Sequence, residues 1–282
     1  MIKVYFEKIV LGKKFRATLV FLFASLFSFS NTYYSRTTGN WDAAGSWSTV
    51  ACGNATNTGT FPVAGDVVII CSTHTINMNT NSACASVTLQ GSGILNFGTN
   101  NKTLTVSGNF AMSSTSAING NGAGKTLAIS GTFSVASGSN VNIDGITMTV
   151  AGVSTIDGQV NFIDNTGSKT FSSTVNVGAG GTGKINFTAN ETFTLASGNL
   201  NMSPGSSISG TTGTMSITTG TFNVLAGGTS TIGGTSFRLW QVPPRLTEHC
   251  NFPSPVREIK VSGRLPYPQA VYGITPSVKI PG

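Results

Sequence analysis

Between residues 102 and 234 the chain repeats one short pattern of hydrophobic and polar positions. Each copy carries a residue of high β-propensity, an apolar residue that we use as its anchor, and then alternating small polar and apolar residues. The anchors are Leu104, Leu127, Met148, Phe171, Phe193 and Met215, at separations of 23, 21, 23, 22 and 22 residues. A fixed period of this size, made of short alternating segments between Gly, Ser and Asn turns, is typical of a solenoid. The pattern therefore predicts an all-β fold, a parallel β-helix with coils of about 22 residues.

A β-sandwich would also give short strands separated by turn residues, but it would not place one residue type at the same strand position six times. No helical period of useful length interrupts the stretch. The crossover rule for parallel strands predicts that the β-helix is right-handed. Because side chains alternate between the two faces of a strand, we expect the anchors to point inward and their neighbours outward.

Stacking the coils would align the outward neighbours into two files, one on each side of the anchors. The file before the anchors is Thr103, Thr126, Thr147, Thr170, Thr192 and Thr214. The file after them is Thr105, Ala128, Thr149, Ser172, Thr194 and Ser216. Such a flat array of small hydroxyls and methyls would suit a regular polysaccharide surface, or could order water and bind ice. The alternative is that threonine is simply a favourable outward strand residue, since β-branching suits a pleated surface.

Residues 31–101 are predicted to form an N-terminal head that caps the solenoid and contributes its first coils. The open end of a solenoid exposes its core and needs a cap. Trp41 and Trp47 are the candidates to cover it, because large aromatic side chains bury the most surface. An aromatic sugar-binding platform is the alternative function for the same two residues.

The head also carries a family resemblance. Its motifs are Tyr33-Tyr34-Ser35-Arg36, Gly39-Asn40-Trp41, Trp47-Ser48 and Pro62-x-x-Gly65-Asp66-x-Val68-x-Ile70. Their order resembles the mature N-terminus of bacterial secreted, adhesin-like surface proteins and is similar to the extracellular domain named for its eight glycines. The resemblance is close over about residues 33–110. It implies an extracellular β-solenoid, often the front of a longer surface protein associated with the outer membrane.

Residues 1–30 are predicted to be a secretion signal. Lys13, Lys14 and Arg16 precede an apolar run over 17–29, which is too short to span a bilayer comfortably. Small residues before Asn31 place the cut there. The alternatives are an uncleaved membrane anchor or a buried strand. No other run approaches membrane length, so we expect no integral membrane span after cleavage.

The net charge of +7 is unevenly distributed along the chain. Residues 1–30 carry five Lys/Arg and one Glu, residues 31–234 carry five Lys/Arg and six Asp/Glu, and residues 235–282 carry six Lys/Arg and two Glu. The solenoid itself is thus nearly neutral, without the clustered cations that a nucleic-acid surface needs. Residues 235–282 also hold eight of the ten prolines, and the period stops there. We interpret this segment as a Pro-rich linker or an aberrant tail, with a small capping domain as the alternative.

The four cysteines are Cys52, Cys71, Cys84 and Cys250, and none forms a C-x-x-C pair. A zinc or redox motif is therefore not indicated. In an oxidising compartment we expect one pair among Cys52, Cys71 and Cys84 to form a disulfide, with all three pairings open. Three buried free thiols are the alternative.

Other apparent motifs are weak. The glycine-rich segments 120–126 and 178–184 lack the spacing or the final Ser/Thr of a phosphate loop. Asp144, Asp157 and Asp164 lie in turn dipeptides or beside them, which favours turns over a calcium or acid–base site. A pairing of His74 with Asp66 is conceivable. We therefore predict no catalytic residue, no metal and no cofactor.

Together these features predict a secreted or cell-surface protein, a structural or adhesive module that presents flat Thr/Ser/Asn faces for binding, rather than an enzyme. The expected partner is a polysaccharide or a host or cell-surface ligand, and not nucleic acid. The alternative is a polysaccharide-degrading β-helix enzyme, which would need a groove with clustered carboxylates and basic residues.

Overall fold

The structure is a computed structural model that describes residues 30–99, 101–122, 124–164, 166–210, 212–225, 230–233, 236–241 and 259–262. Apart from Ser30, the predicted signal lies outside the described residues, as does most of the predicted tail. The described part is all-β, with a single short 3-10 helix at Ala44–Ser46.

The described residues form 28 strands, numbered in chain order. The first eight are β1 (Thr32–Ser35), β2 (Gly39–Asn40), β3 (Trp47–Ser48), β4 (Val67–Ile70), β5 (Thr75–Asn77), β6 (Ser82–Cys84), β7 (Ser86–Leu89) and β8 (Ile94–Asn96). The next nine are β9 (Thr103–Val106), β10 (Phe110–Met112), β11 (Ala117–Asn119), β12 (Thr126–Ile129), β13 (Phe133–Val135), β14 (Asn140–Ile143), β15 (Thr147–Val150), β16 (Ser154–Ile156) and β17 (Gln159–Phe162). The last are β18 (Ser168–Phe171), β19 (Val175–Val177), β20 (Lys184–Phe187), β21 (Thr192–Leu195), β22 (Leu200–Met202), β23 (Ser207–Gly210), β24 (Thr212–Ile217), β25 (Phe222–Val224), β26 (Ser230–Gly233), β27 (Ser236–Gln241) and β28 (Ile259–Ser262).

These strands stack into three sheets, each of which takes about one strand from every coil. Sheet A runs β3-β1-β4-β7-β10-β13-β16-β19-β22-β25. Sheet B runs β2-β5-β8-β11-β14-β17-β20-β23-β26-β28. Sheet C runs β6-β9-β12-β15-β18-β21-β24-β27. Apart from the antiparallel pair of β1 with β3, the described strand pairs are parallel, for example β9 with β12 and β12 with β15.

The predicted parallel β-solenoid is confirmed, with about 7 turns spaced about 23 residues apart. Short strands with turns between them suffice because each strand completes its backbone hydrogen bonds on the coils before and after it. The right-handed sense stays a prediction.

One predicted anchor is wrong. In sheet C, Met148 of β15 pairs with Lys169 of β18, and Val150 pairs with Phe171. Phe193 of β21 then pairs with Lys169, so the inward column of anchors passes through Lys169 and not Phe171. Side chains on a strand alternate with a period of two, so a shift of two residues keeps the inward and outward faces unchanged. An alignment by hydrophobicity therefore preferred Phe171, two residues along the same inward face.

The core is a continuous stack of inward side chains from all three sheets. Phenylalanines fill its middle: the Phe171 and Phe193 rings stack with centroids 4.6 Å apart, and the Phe162 and Phe187 rings lie 5.4 Å apart. All four side chains are fully buried. Removing one such side chain from water is worth about 1.5–3 kcal/mol.

At the N-terminal end, Trp41 follows β2 and Trp47 lies in β3, the terminal strands of sheets B and A. Both side chains are 0% exposed, and their rings pack edge to face at 5.5 Å. The Trp47 Nε1–H donates to the carbonyl of Trp41, and the Trp41 Nε1–H donates to the carbonyl of Pro62. This is the position that a cap requires. A fully buried ring offers no face to a sugar, so the sugar-platform alternative is wrong.

Strand stacking continues past residue 234. The six residues of β27 pair with β24 in sheet C, and β28 pairs with β26 in sheet B. The segment 235–282, interpreted from its prolines as a linker or an aberrant tail, thus contributes two strands to the solenoid sheets. Both strands lie in proline-free stretches of the segment, which explains how they can join a ladder despite the composition.

The inward and outward positions of β12 can be tested with a matched pair of substitutions. Leu127 is fully buried and Thr126 half-buried. Leu127→Asp places an unpaired charge in a dry core and should cost more than about 3 kcal/mol of unfolding free energy. Thr126→Asp should cost less than about 1 kcal/mol, because its side chain keeps contact with water. Urea unfolding of both variants gives the comparison, and equal losses would contradict the register.

Candidate binding face

The candidate binding face is the outer surface of sheet C, formed by the outward side chains of β9, β12, β15, β18, β21 and β24. The backbone pairing aligns these side chains into two files. The first file is Thr103, Thr126, Thr147, Ser168, Thr192 and Thr214. The second file is Thr105, Ala128, Thr149, Thr170, Thr194 and Ser216.

The files differ from the sequence prediction at one coil. Thr170 pairs with Thr149 and Thr194 and so belongs to the second file. Ser168 takes the position in the first file that was expected for Thr170, and Ser172 lies outside both files. The cause is the two-residue shift that places Lys169 in the anchor column. The first file therefore loses one threonine and the second gains one, so the two files together hold nine threonines, as the sequence predicted.

All twelve positions hold Thr, Ser or Ala, so the two files contain no charged or long side chain. The side chains are exposed or half-buried. Neighbours within a file are about 4.8 Å apart and the two files about 7 Å apart, as strand geometry dictates. Beyond β24, the backbone of Arg238 and Trp240 in β27 pairs with that of Thr214 and Ser216. The uncharged array therefore extends from β9 to β24.

The outer faces of the other two sheets carry asparagine ladders, whose hydrogen bonds between coils the sequence analysis did not predict. In sheet B, the Asn161 side-chain amide donates to Asn142 at 3.0 Å, and that of Asn186 donates to Asn161 at 3.2 Å. In sheet A, Asn201 donates to Asn176 and Asn223 donates to Asn201, both at 2.8 Å. Amides stacked in this way satisfy one another and tie coil to coil. The recurring Asn between two apolar residues, as in Val141-Asn142-Ile143, was the available signal.

Cys52 and Cys71 form a disulfide in the head, which selects one of the three pairings that the sequence left open. Cys84 is a buried free thiol. Burial raises the pKa of this thiol to about 12, and the negative charge of Asp66 adds to the effect. A thiol that stays protonated is a poor nucleophile, so Cys84 is a packing residue.

The conceivable pairing of His74 with Asp66 is wrong. The His74 Nδ1 lies 2.8 Å from the Ser35 hydroxyl, a side-chain contact that holds the head together. The Asp66 carboxylate accepts hydrogen bonds at 2.9 Å from the backbone N–H groups of Asn31 and Val63. Both residues therefore organise the backbone of the head.

The aspartates of the solenoid also form hydrogen bonds to the backbone in turns. The Asp157 carboxylate accepts from the N–H of Gly180 at 2.7 Å, and that of Asp164 accepts from the N–H of Thr166 at 3.1 Å. Asp144 shares a hydrogen bond with Asp164. Burial first, and the Asp164 charge second, raise the pKa of Asp144.

The lysines of the two glycine-rich segments do not form phosphate loops. Lys125 is 3% exposed and donates to the carbonyl of Asn121 at 3.1 Å, and Lys184 is the first residue of β20. Within the described residues there is no group of three or more His, Cys, Asp or Glu that could hold a metal ion. The described part of the chain also contains no helix with the length and hydrophobicity needed to cross a bilayer.

A buried ion pair is the largest departure from the predicted core. The Lys169 ammonium lies 2.9 Å from the Glu191 carboxylate, and both side chains are 0% exposed. Glu191 directly precedes β21, so the pair joins two successive coils. Lys169 was missed because its neighbours Thr170 and Phe171 fit the repeat pattern better.

Comparison with known proteins adds no relative to this picture. No protein-family model matches the chain, and neither the curated proteins nor the solved structures give a significant match. Function must therefore be argued from the geometry of the chain itself.

The contact of Asp144 with Asp164 predicts a pH dependence of stability. An acid whose pKa is raised by folding stabilises the protein below its unfolded pKa of about 3.9, and this contribution is lost as the pH rises through the folded pKa. Asp144→Asn keeps the shape of the protonated acid but cannot ionise, so the variant does not lose this stability as the pH rises. The melting temperature of the variant, relative to the native chain, should therefore be higher at pH 7 than at pH 4.

Asp164→Asn is the matched variant, since it removes the carboxylate whose charge contributes to the raised pKa of Asp144. Its melting temperature, relative to the native chain, should also be higher at pH 7 than at pH 4. If the difference in melting temperature between variant and native chain is the same at pH 4 and pH 7 for both variants, the two carboxyl groups are not coupled.

Proposed function

We propose that the protein is an exported surface module that binds a regular, uncharged polysaccharide surface through the outer face of sheet C. The observation that carries this proposal is the pair of files of Thr, Ser and Ala across six strands, without a charged side chain. Export is supported by the basic and apolar pattern of residues 1–30 and by the Cys52–Cys71 disulfide, a bond typical of oxidising compartments.

A periodic ligand suits a periodic face. Each threonine offers one hydroxyl, which both donates and accepts, and one methyl group for an apolar contact. Each contact is weak, but a polymer that meets many coils at once converts the later contacts into intramolecular ones. The short side chains lose little rotamer freedom on binding, because β-branched residues are already stiff.

A polysaccharide-degrading enzyme fits the described surface less well. Glycoside hydrolysis commonly needs two carboxyl groups on either side of the scissile bond. Two of the surface grooves in the described part of the chain contain one carboxylate each, Asp42 in the first and Asp157 in the second. The Asp157 carboxylate is already used by the N–H of Gly180.

Ice is a second candidate ligand, and the paired threonines of three strands favour it. β9, β15 and β21 each present a Thr-x-Thr sequence whose two threonines lie in the two files, as in Thr147-Met148-Thr149. A flat array of hydroxyls and methyls at fixed spacing can order a layer of water. Both ligands use the same face, and one experiment separates them.

The test is the double substitution Thr147→Lys with Thr192→Lys. Both sites hold small, partly or fully exposed side chains on coils that are not adjacent, so folding should be retained. Two long charged side chains would keep a flat surface away from the files. We expect at least a tenfold loss of retention on insoluble crystalline cellulose or chitin, or loss of thermal hysteresis if ice is the ligand.

The matched control is Thr88→Lys with Thr155→Lys, which makes the same change on the outer face of sheet A. This control should bind as the native chain does. Binding that survives the sheet C substitutions, or that is lost equally in the control, would remove sheet C as the binding face. If the native chain neither binds the two glycans nor shows hysteresis, the proposal is wrong for this ligand class.

A further inference from the structure

Lys169 occupies a position that the rest of its column gives to apolar residues. Its backbone pairs with Met148 on the preceding coil and with Phe193 on the following coil, and both neighbours are fully buried. The Lys169 side chain is itself fully buried, and its ammonium lies 5.8 Å from the centre of the Phe162 ring. A lysine is almost never found in such surroundings without a specific partner.

The partner is Glu191, whose carboxyl group is also fully buried. The Lys169 Nζ lies 2.9 Å from Glu191 Oε1, an oxygen that is bonded to the carboxyl carbon. Besides Lys169, the backbone N–H of Thr192 acts on the Glu191 carboxylate. Lys169 Nζ donates a long hydrogen bond of 3.4 Å to the carbonyl of Gly167. The two groups thus face each other with few of the hydrogen bonds that usually stabilise buried charges.

The surroundings favour the uncharged forms of both groups. Burial lowers the pKa of Lys169, against the opposing effect of the Glu191 charge. Burial also raises the pKa of Glu191, against the opposing effect of Lys169. A proton passed from the ammonium to the carboxylate leaves a neutral amine beside a neutral carboxylic acid. A neutral amine has the free electron pair that a nucleophile needs.

We propose that Lys169 and Glu191 condense to form an intramolecular isopeptide bond between successive coils. The Nζ electron pair attacks the Glu191 carboxyl carbon, and a bond forms between Nζ and Cδ. The bond between Cδ and one carboxyl oxygen then breaks, and that oxygen leaves as water with two protons, one from Nζ and one from the acid. No oxidant, reductant or activating co-reactant is needed.

Asp164 is the carboxyl group that we assign to moving the proton from Nζ to the leaving oxygen. It is a carboxyl group whose charge acts on both Lys169 and Glu191. Proximity in a dry and fixed site can replace chemical activation of the acid, since effective molarities of oriented groups are very high.

The product would remove an unfavourable feature of the core. A neutral amide would take the place of two buried charges whose desolvation is costly. It would also join β18 covalently to the residue before β21, so that these two coils could not separate without breaking a bond. A module exposed outside the cell would gain resistance to unfolding in this way. The inference is independent of the ligand proposed for sheet C.

Tryptic mapping of the reduced and alkylated full chain tests the proposal. Cleavage at the unmodified lysines and arginines gives the separate peptides 126–169, 170–184 and 185–238. A linked Lys169 blocks cleavage, so the expected product is 126–184 joined to 185–238, lighter by one water than the two peptides together. Fragmentation of the linked product in the mass spectrometer should assign the loss of water to Lys169 and Glu191. An Asp-Gly turn can also lose water, so this assignment is needed.

Lys169→Met is the matched control, because methionine fits the column beside Met148 and also removes the tryptic site. It should give 126–184 and 185–238 as separate peptides of full mass. Asp164→Asn should lower the linked fraction at least tenfold while the native fold is kept. If the native chain, after several days in neutral buffer, still gives 126–169 and 170–184 at full mass, no isopeptide bond forms and the proposal is overturned.

Discussion

The parallel backbone ladder between successive coils is the interaction on which the rest of the structure depends. A single coil of about 23 residues cannot satisfy its own N–H and C=O groups or bury its inward side chains. Both become possible only when the same strand position recurs on the next coil, at a spacing fixed by the hydrogen bonds. Every stacked feature follows from this constraint, including the phenylalanines inside and the threonine and asparagine files outside.

The ladder also explains how much of the molecule could be predicted from its sequence. The inward and outward faces follow from a period of two along each strand, and a period of about 22 residues between anchors was sufficient to predict a parallel solenoid. Because the faces alternate with a period of two, an alignment that is wrong by two residues still gives the correct inward and outward faces. Coils of unequal length, 21 residues from Met148 to Lys169 and 24 from Lys169 to Phe193, look almost periodic when Phe171 is used instead.

The remaining differences arise where chemistry depends on contacts between distant residues. The pairing of Cys52 with Cys71 depends on how the head loop folds back, which no spacing determines. The partnership of Lys169 with Glu191 crosses from one coil to the next and needs the true register. The members of the sheet C files were predicted correctly except at the coil that contains Lys169, since outward threonines are recognisable from local pattern alone.

The distribution of charge inverts the usual arrangement of a soluble domain. The outer face of sheet C is uncharged across six strands, while a lysine and a glutamate are fully buried behind the same sheet. Removing water from an uncharged face costs little free energy when a flat ligand binds, whereas the buried ion pair is already desolvated when the protein folds, at a higher cost. Both features have a physical reason if the outer face is used for contact and the interior is used for cross-linking. If the outer face of sheet C is the binding face, its coils must stay in register, and an amide between two coils would fix them more firmly than packing alone.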